Sequence, residues 1–361
     1  MNRYRHLLLL LAVSVVAGCS SNTTLTPSTT GTGNIVYNKI AQSDVPDNML
    51  SLLTALRATQ GSIPQKIQAA DVDGAYIGDW GVGFVTSAEN GKVAYLTLDT
   101  AGTAYTVKII VANNDNSSPH TIYSFIYPTE KNLALLPMLS VDGAKVAFAT
   151  YDSSSIKATL YVANTDGTVL TQISDNFNGL TIPCFSDDHS MIDYYEIVDP
   201  AGGSAFASTN TGGLNQKTIH YNSYVHPGPF DEGQVSLQHG TSTIAYADAE
   251  QVFTLNLSGT PAVRVDSGFA PSWSPDGSKL LYESTSHHLI VTPDKGSTKI
   301  DLTTGNAAEV LCAWSSDGAS ILCNSWPNGF GNGNASLVRI ELATKQRKTI
   351  AAGTFDGYFL K

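Results

Sequence analysis

The most reactive side chains in this sequence are four cysteines, and two of them are spaced so that they could bond to each other. Cys312 and Cys323 flank the turn Asp317-Gly318. If that turn is a two-residue hairpin loop, the cysteines lie opposite each other, and a cross-strand disulfide is feasible in an oxidising compartment. If the turn is a three-residue loop with a glycine bulge, the register slips by one, and both residues stay packed thiols. The sequence leaves both alternatives open, and we expect Cys184 to be a small core residue.

Patterns for metal binding and catalysis are mostly missing from the sequence. It contains no Gly-x-Ser-x-Gly nucleophile motif, Walker loop, dinucleotide fingerprint or His-Glu-x-x-His. The segment from Asp71 to Asp79 imitates the start of a calcium loop but lacks the later ligands. His287 and His288 begin a predicted strand, where adjacent residues face opposite sides, so both cannot easily bind one ion. We therefore expect no catalytic residue, no metal and no cofactor.

Lipidation is a different chemistry, and it is indicated at Cys19. The apolar run over residues 7–17 follows basic residues and is too short to span a bilayer, which is typical of a signal peptide. The run ends in Val16-Ala17-Gly18-Cys19, which resembles the bacterial lipobox, whose cysteine is diacylated and becomes the mature N-terminus. We predict a signal peptide over residues 1–18, then the lipidated cysteine and a flexible polar tether over residues 19–33.

Charge and the residue after Cys19 indicate where the protein acts. By analogy with enteric bacteria, an aspartate directly after the lipidated cysteine favours retention in the inner membrane, but here that residue is Ser20. We therefore expect the protein to be anchored in the outer membrane, on its periplasmic side or its surface. The chain has 20 basic and 31 acidic residues, a formal net charge of −11, which argues against a nucleic-acid partner. The expected partners are a membrane, reached through the acyl chains, and another envelope protein or a glycan.

The elements that position these residues follow from an internal repeat. Each copy contains a short apolar strand, a tight turn and a second apolar strand. The turns end at Gly91, Gly143, His189, Gly240, Gly277 and Gly318. The mean separation, (318 − 91)/5, is about 45 residues, the length of a four-stranded propeller blade. The sequence therefore predicts an all-β, six-bladed β-propeller of four-stranded antiparallel blades over residues 83–361, in which His189 occupies a turn position.

One copy of the repeat is specific enough to suggest a family. The residues from Ala270 to Tyr282, APSWSPDGSKLLY, and the worn copy from Trp314 to Gly318 resemble the WD40-like (PD40) repeat of the TolB β-propeller family. The resemblance covers most of the chain and implies the fold; it also implies a role in docking to a peptidoglycan-associated lipoprotein. The family carries a larger α/β domain before its propeller, whereas only residues 34–82 precede the ring here.

We interpret residues 34–82 as a short extension with one strand and one helix. The strand is Asn34 to Ile40, and the helix is Asp47 to Gln60, in which apolar residues recur at helical spacing. Either this strand or the apolar tail from Thr354 to Leu360 could close the ring by pairing with the opposite terminal blade.

Long loops on one face of the ring are the candidate binding surface. Loops that join second to third and fourth to first strands emerge together, and two of them are rich in aromatic, glycine and proline residues. The candidate residues are Tyr224, His226, Phe230, Asp231, Trp326, Asn328 and Phe330. The first hypothesis is a lipid-anchored envelope propeller that binds a protein or glycan without catalysis. The alternative is a propeller enzyme, a lyase, lactonase or hydrolase on sugars, with its site at the central channel.

Overall fold

The structure is a computed structural model of the chain, and every regular element that it describes is a β-strand. It describes residues 35–40, 66–70, 76–82, 84–101, 104–127, 132–151, 157–178, 183–198, 204–213, 218–225, 235–248, 250–257, 261–293, 296, 298–303, 305–330 and 332–359. Within these ranges, no helix is long and apolar enough to cross a membrane. The all-β prediction is confirmed for this part of the chain.

The strands pair into four-stranded antiparallel sheets, which we number I to VI along the chain, and one further sheet, VII. Sheet VII contains β1 (Ile35–Ile40), β2 (Lys66–Ala70), β3 (Tyr76–Val82) and the last strand, β27 (Thr354–Phe359); sheet I contains β4 (Phe84–Glu89), β5 (Lys92–Ala101), β6 (Ala104–Asn113) and β7 (His120–Tyr127). Sheet II contains β8 (Asn132–Leu139), β9 (Lys145–Tyr151), β10 (Lys157–Asn164) and β11 (Leu170–Asn178), and sheet III contains β12 (Cys184–Phe185), β13 (Met191–Ile197), β14 (Ser204–Asn210) and β15 (Thr218–Val225). Sheet IV contains β16 (Val235–Leu237), β17 (Thr243–Asp248), β18 (Gln251–Asn256) and the first part of β19 (Val263–Trp273); sheet V contains the second part of β19, β20 (Leu280–Ser284), β21 (Leu289–Thr292) and β22 (Ile300–Asp301); sheet VI contains β23 (Ala308–Trp314), β24 (Ser320–Trp326), β25 (Ser336–Glu341) and β26 (Arg347–Ala352).

Neighbouring sheets pack on each other through side chains of their second strands. Because successive strand residues point to opposite faces, one strand supplies both of its interfaces; Tyr194 packs towards sheet II and Tyr195 towards sheet IV. Buried pairs from successive interfaces are Ile109 and Phe148, Leu160 and Tyr194, Tyr195 and Tyr246, Ala245 and Tyr282, and Leu281 and Ile321. The second strands are therefore largely apolar, although they also contain buried polar residues such as Asp193 and Glu283, and each sheet lies between two others.

Sheet VII closes the ring and is built from both ends of the described chain. β27 pairs with β1 over six residue pairs, from Ile35↔Phe359 to Ile40↔Thr354, and β2 and β3 follow. Ile35 is fully buried against Leu322, Leu337 and Ile350 of sheet VI, while β1 and β27 also contact β4 of sheet I. This is the arrangement of a β-propeller in which the last strand is the innermost strand of a shared sheet.

This topology does not confirm the prediction of six blades and a separate strand-and-helix extension over residues 34–82. The described strands divide into seven four-stranded units, of which II and III are joined by the pair Phe177↔Glu196 and IV and V share β19, and residues 35–82 supply three strands of the seventh. The repeat search missed it because the motif is the turn between a first and a second strand. In sheet VII those are β27 and β1, which lie at opposite ends of the chain. The predicted helix, residues 47–60, lies outside the described residues.

A serine and an aspartate build four of the six repeated turns. Four turns share the same bonds, in which the serine hydroxyl donates to the aspartate two residues later and accepts the backbone N–H five residues later. For Ser274 these distances are 2.6 Å to Asp276 Oδ1 and 2.9 Å from the N–H of Lys279. The other three turns start at Ser140, Ser186 and Ser315. The loop is thus longer than two residues, although the register of the two strands is the one that a two-residue Asp-Gly loop would give.

The position after the aspartate requires a left-handed backbone. Gly277 has a φ of 68°, and a β-carbon there would lie 2.9 Å from the carbonyl oxygen of His239 in the neighbouring sheet. His189 occupies the same position with a φ of 48°, and its Nδ1 lies 3.0 Å from Oδ2 of Asp142 in the neighbouring turn. His189 is therefore the turn residue that the sequence predicts.

Candidate functional site

The loops that join second to third and fourth to first strands form what we call the loop face. In the described chain this face is most elaborate between sheets V and VI. There the β20–β21 turn, the β22–β23 connection and the loop over residues 327–335 meet. The N–H of Glu309 donates to the carbonyl of His287 at 2.9 Å, and Gly329 lies beside the carbonyl of Asn306.

Only part of the predicted site falls within the described residues. Trp326, Asn328 and Phe330 are described, and Tyr224 lies near the end of β15. Cys19 and its signal segment, and His226, Phe230 and Asp231, lie outside the described residues, as do Asp71 to Gly74 of the imitated calcium loop. The structure therefore places one predicted loop, the one after β24, and leaves the other as a prediction.

Trp326 supports the site and does not form its surface. It ends β24 with no exposed area, so its expected part in direct ligand contact is corrected. Its ring centroid lies 5.0 Å from that of Phe330, which is only partly buried. The ordered aromatic pair fixes the loop, because the buried indole holds the phenyl ring in one place.

Phe330 also contacts a histidine–glutamate pair that the sequence analysis did not find. The Phe330 ring centroid is 5.3 Å from that of His287, whose Nδ1 is hydrogen-bonded to the carboxylate of Glu283. Glu283 ends β20 and is 5% exposed, whereas the side chain of His287 is 30% exposed. Burial raises the pKa of the Glu283 carboxyl, and the hydrogen bond and charge of His287 offset part of that rise. The pair holds the imidazole of His287 in one orientation.

The geometry of the turn explains this pairing. The N–H of His287 donates to the carbonyl of Ser284 at 2.9 Å, and His287 has a φ of 61°. This tight turn brings residue 287 back over the end of β20. The neighbouring His288 points elsewhere and lies 2.9 Å from Oδ2 of Asp301. The two histidines therefore have different partners, although they lie in the turn before β21 and do not begin the strand as the sequence predicted.

Exposed amides lie in the same loop as Phe330 and in the β22–β23 connection beside it. Asn306, Asn328, Asn332 and Asn334 are all exposed. The loop that carries three of them is ordered by two backbone hydrogen bonds, Gly329 N–H to Trp326 and Asn332 N–H to Gly329, at 3.3 and 3.0 Å. Each amide offers two donors and one acceptor. The described surface is therefore one aromatic ring and one imidazole within a rim of neutral hydrogen-bonding groups.

A buried ion pair lies beneath this surface and is fully engaged in the fold. Glu309, at the start of β23, has no exposed area and accepts hydrogen bonds from Arg347, Thr303 and Ser325. Arg347 also donates to the carbonyl of Leu302 at 3.2 Å. These hydrogen bonds connect Glu309 in β23 to Thr303 just after β22, Ser325 in β24 and Arg347 in β26. Glu309 therefore has a structural role.

The three cysteines within the described ranges are unbonded. Cys184, Cys312 and Cys323 are free, and Cys312 and Cys323 lie side by side across β23 and β24. Burial raises the pKa of the Cys184 thiol to about 12, and its sulfur accepts the N–H of Leu237 at 3.2 Å. Cys184 packs in the core between sheets III and IV, as expected. Throughout the described ranges, no group of three or more His, Cys, Asp and Glu side chains is placed to hold a metal ion.

Comparisons with known proteins show the fold. No protein-family model matches the sequence, and no curated protein matches it. TolB from Acinetobacter baumannii matches with a TM-score of 0.51 and 14% identity over 82% of this chain and 78% of that chain. The β-propeller domain of the trilobed protease from Pyrococcus furiosus, described as having an open velcro topology, matches with a TM-score of 0.52 and 13% identity over 75% and 84%.

An enzyme is also among the similar structures. An oligogalacturonate lyase in complex with manganese matches with a TM-score of 0.49 and 12% identity over 73% of this chain and 74% of that chain, a likeness too distant to inform the chemistry of this chain. The first two likenesses agree with the ring described above, although this chain, unlike an open ring, pairs β1 with β27. The chain therefore has a TolB-like β-propeller fold.

Proposed function

We propose that this protein is a lipid-anchored β-propeller of the bacterial cell envelope that binds a glycan, without catalysis, through its loop face. Acyl chains on Cys19 would hold it on a membrane, and the outer membrane is favoured. The proposal rests on one observation above all, the partly exposed Phe330 ring that Trp326 and His287 hold within a rim of exposed amides.

The chemistry of this surface favours a glycan over a protein. A sugar ring has an apolar face that can stack on an aromatic ring and hydroxyl groups at its edge that pair with amides and imidazole. A stable protein interface buries about 800 Å² on each partner around several aromatic or arginine anchors. The described loop face between sheets V and VI offers one such ring. A protein partner is therefore an outcome that the experiment must distinguish.

The test is capture of envelope material by the acylated, full-length protein from native membranes. Phe330→Ala should lower the captured glycan about tenfold, since an aromatic contact contributes about 1–1.5 kcal/mol. Val169→Ala removes an apolar side chain that is 64% exposed in the β10–β11 turn, on the opposite face, and serves as the matched control. Capture that is equal for both variants, or a captured protein that survives glycosidase treatment, would remove Phe330 and the glycan from the proposal.

The anchor has its own test. Cys19→Ser should abolish metabolic labelling with a radioactive fatty acid and move the protein from the membrane to the soluble fraction. The neighbouring Ser20→Asp keeps the cysteine and should change only which membrane holds the protein. Unchanged labelling of Cys19→Ser would contradict lipidation at this residue.

A second candidate function, an enzyme acting on sugars, is favoured by the Glu283–His287 pair. A carboxylate that orients an imidazole beside a ligand surface is an arrangement that general acid–base catalysis uses. Incubation with neutral and uronic oligosaccharides, followed by mass spectrometry of the products, distinguishes the two functions. Products that disappear in His287→Ala but not in His288→Ala would establish the enzyme; binding without products supports the non-catalytic module.

A further inference from the structure

Cys312 and Cys323 lie opposite each other on the two inner strands of sheet VI. Near the turn, β23 and β24 pair as Trp314↔Ile321 and Ala313↔Leu322. In this register the next pair is Cys312 and Cys323. The ladder shifts between Val310 and Ala313, so Cys312 lies at an irregularity of β23, but its thiol remains in contact with that of Cys323.

The hydrogen-bonding pattern places these cysteines at a site that suits a disulfide. Ser315 N–H donates to the carbonyl of Ser320 at 2.9 Å, so residues 315 and 320 form a hydrogen-bonded pair. Hydrogen-bonded and non-hydrogen-bonded pairs alternate along an antiparallel ladder, so continuing the register of Ala313↔Leu322 by one residue would make Cys312 and Cys323 a non-hydrogen-bonded pair. Such pairs have α-carbons about 4.5 Å apart, within the range of about 4.4–6.8 Å that a disulfide spans.

The surroundings of the two thiols determine when a bond can form. Cys323 has no exposed area, and Cys312 is partly exposed. Both pack with Trp314 and Val338 in the core between sheets V and VI. Burial and the neighbouring Cys323 thiol raise the pKa of Cys312 well above its ordinary value. Since the thiolate is the form that attacks a disulfide, exchange is slow once the sheets have packed.

We propose that Cys312 and Cys323 form a structural disulfide while β23 and β24 pair during folding, with an external disulfide, a small molecule or a dithiol oxidoreductase, as the oxidant. One cysteine thiolate attacks the external disulfide, forms a mixed disulfide and releases one thiol. The second cysteine loses its proton and attacks the mixed disulfide, which forms the Cys312–Cys323 bond and releases the second thiol. Two protein thiols are oxidised and one external disulfide is reduced to two thiols. This site is independent of what the protein binds.

The bond would link the innermost strand of sheet VI to its second strand. β24 carries Leu322, which packs on Ile35 of the closing sheet, and it ends at Trp326 beneath the loop face. The link therefore restrains a strand that contributes both to ring closure and to the support of Phe330. Cys184 has no part in it, because its sulfur is engaged by Leu237 in a different interface.

The experiment is refolding of the denatured full-length protein with reduced or oxidised glutathione, followed by alkylation under denaturing conditions and peptide mass spectrometry. After oxidised refolding we expect a single linked peptide pair, Cys312–Cys323, and a fully alkylated Cys184. Cys184→Ser should leave that pair unchanged, and Cys312→Ser should leave Cys323 fully alkylated. The folded reduced protein, given oxidised glutathione without denaturation, should oxidise at least tenfold more slowly.

A second readout keeps the proposal testable if a cysteine variant folds poorly. The wild-type protein refolded with oxidised glutathione should melt a few degrees, roughly 2–5 °C, above the same protein refolded with reduced glutathione. In Cys312→Ala/Cys323→Ala the two refolding conditions should give the same melting temperature. Alkylation of Cys312 and Cys323 to the same extent as Cys184 after oxidised refolding would overturn the proposal.

Discussion

We expect the buried carboxylate of Glu309 to contribute strongly to the stability of sheets V and VI when it is paired. It has no exposed area and is paired with Arg347, whose side chain is 24% exposed. Arg347→Met removes the positive charge and leaves the carboxylate with hydroxyl donors from Thr303 and Ser325. Breaking a buried ion pair from one side costs about 3–5 kcal/mol, and we expect the lower end, about 3 kcal/mol, because water can reach the space that Arg347 leaves.

The chain offers a matched control for this change. Arg339 is bound to Glu341 on the same sheet, but Glu341 is 35% exposed. Arg339→Met should therefore cost about 0.2–1 kcal/mol, the usual contribution of an exposed pair. Urea unfolding followed by tryptophan fluorescence measures both, since Trp273, Trp314 and Trp326 are buried between sheets.

Two further measurements test the cause. In Arg347→Met the unpaired carboxylate is best accommodated when protonated, so the loss of stability should shrink as the pH falls from 8 to 5. Adding Glu309→Gln to Arg347→Met should restore about 1–2 kcal/mol, because it removes the uncompensated charge. Equal losses for Arg347→Met and Arg339→Met, with no pH dependence, would refute the reasoning.

Three other residues give independent predictions. Burial raises the pKa of Asp193 to about 6, above 3.8, so the stability that its neutral form contributes is lost as the pH rises from about 4 through about 6; Asp193→Asn should stabilise the protein by about 2 kcal/mol at pH 8, by about half of that at pH 5 and hardly at pH 3, measured by urea unfolding. His189→Ala and His189→Gly both lose the contact with Asp142, but only glycine accepts a φ of 48° freely, so the glycine variant should be about 1 kcal/mol more stable than the alanine variant. Ile35→Ala should cost about 2–4 kcal/mol because Ile35 is fully buried in the closing seam, whereas Ile126→Ala, at 39% exposure, should cost under about 1 kcal/mol; equal losses would show that sheet VII does not support the ring.

The sequence predicted the sheets whose defining contacts are local. The hydrogen bonds that build the repeated turn lie within the six residues from Ser274 to Lys279. The pattern is therefore visible in one copy and recurs in others. Trp314 packs between sheets V and VI, and its Nε1 donates to the carbonyl of Ser272 in sheet V at 3.2 Å. Ring closure was ambiguous because Ile35 and Phe359, which pair in sheet VII, lie at opposite ends of the chain.

The candidate site was harder to predict because its chemistry depends on burial rather than on spacing. Glu283 and His287 are only four residues apart, so the sequence could have indicated a contact between a glutamate before a tight turn and a histidine at the end of that turn. What makes the pair notable is that Glu283 is 5% exposed, and that burial comes from sheet VI packing on sheet V. Phe330, which completes the surface, lies in the loop of the next sheet. Local turns therefore determine where the sheets lie, whereas packing between sheets determines which charges are buried. It follows that a substitution in a repeated turn between a first and a second strand should change stability alone, and one at the interface of sheets V and VI should change stability and the loop face together.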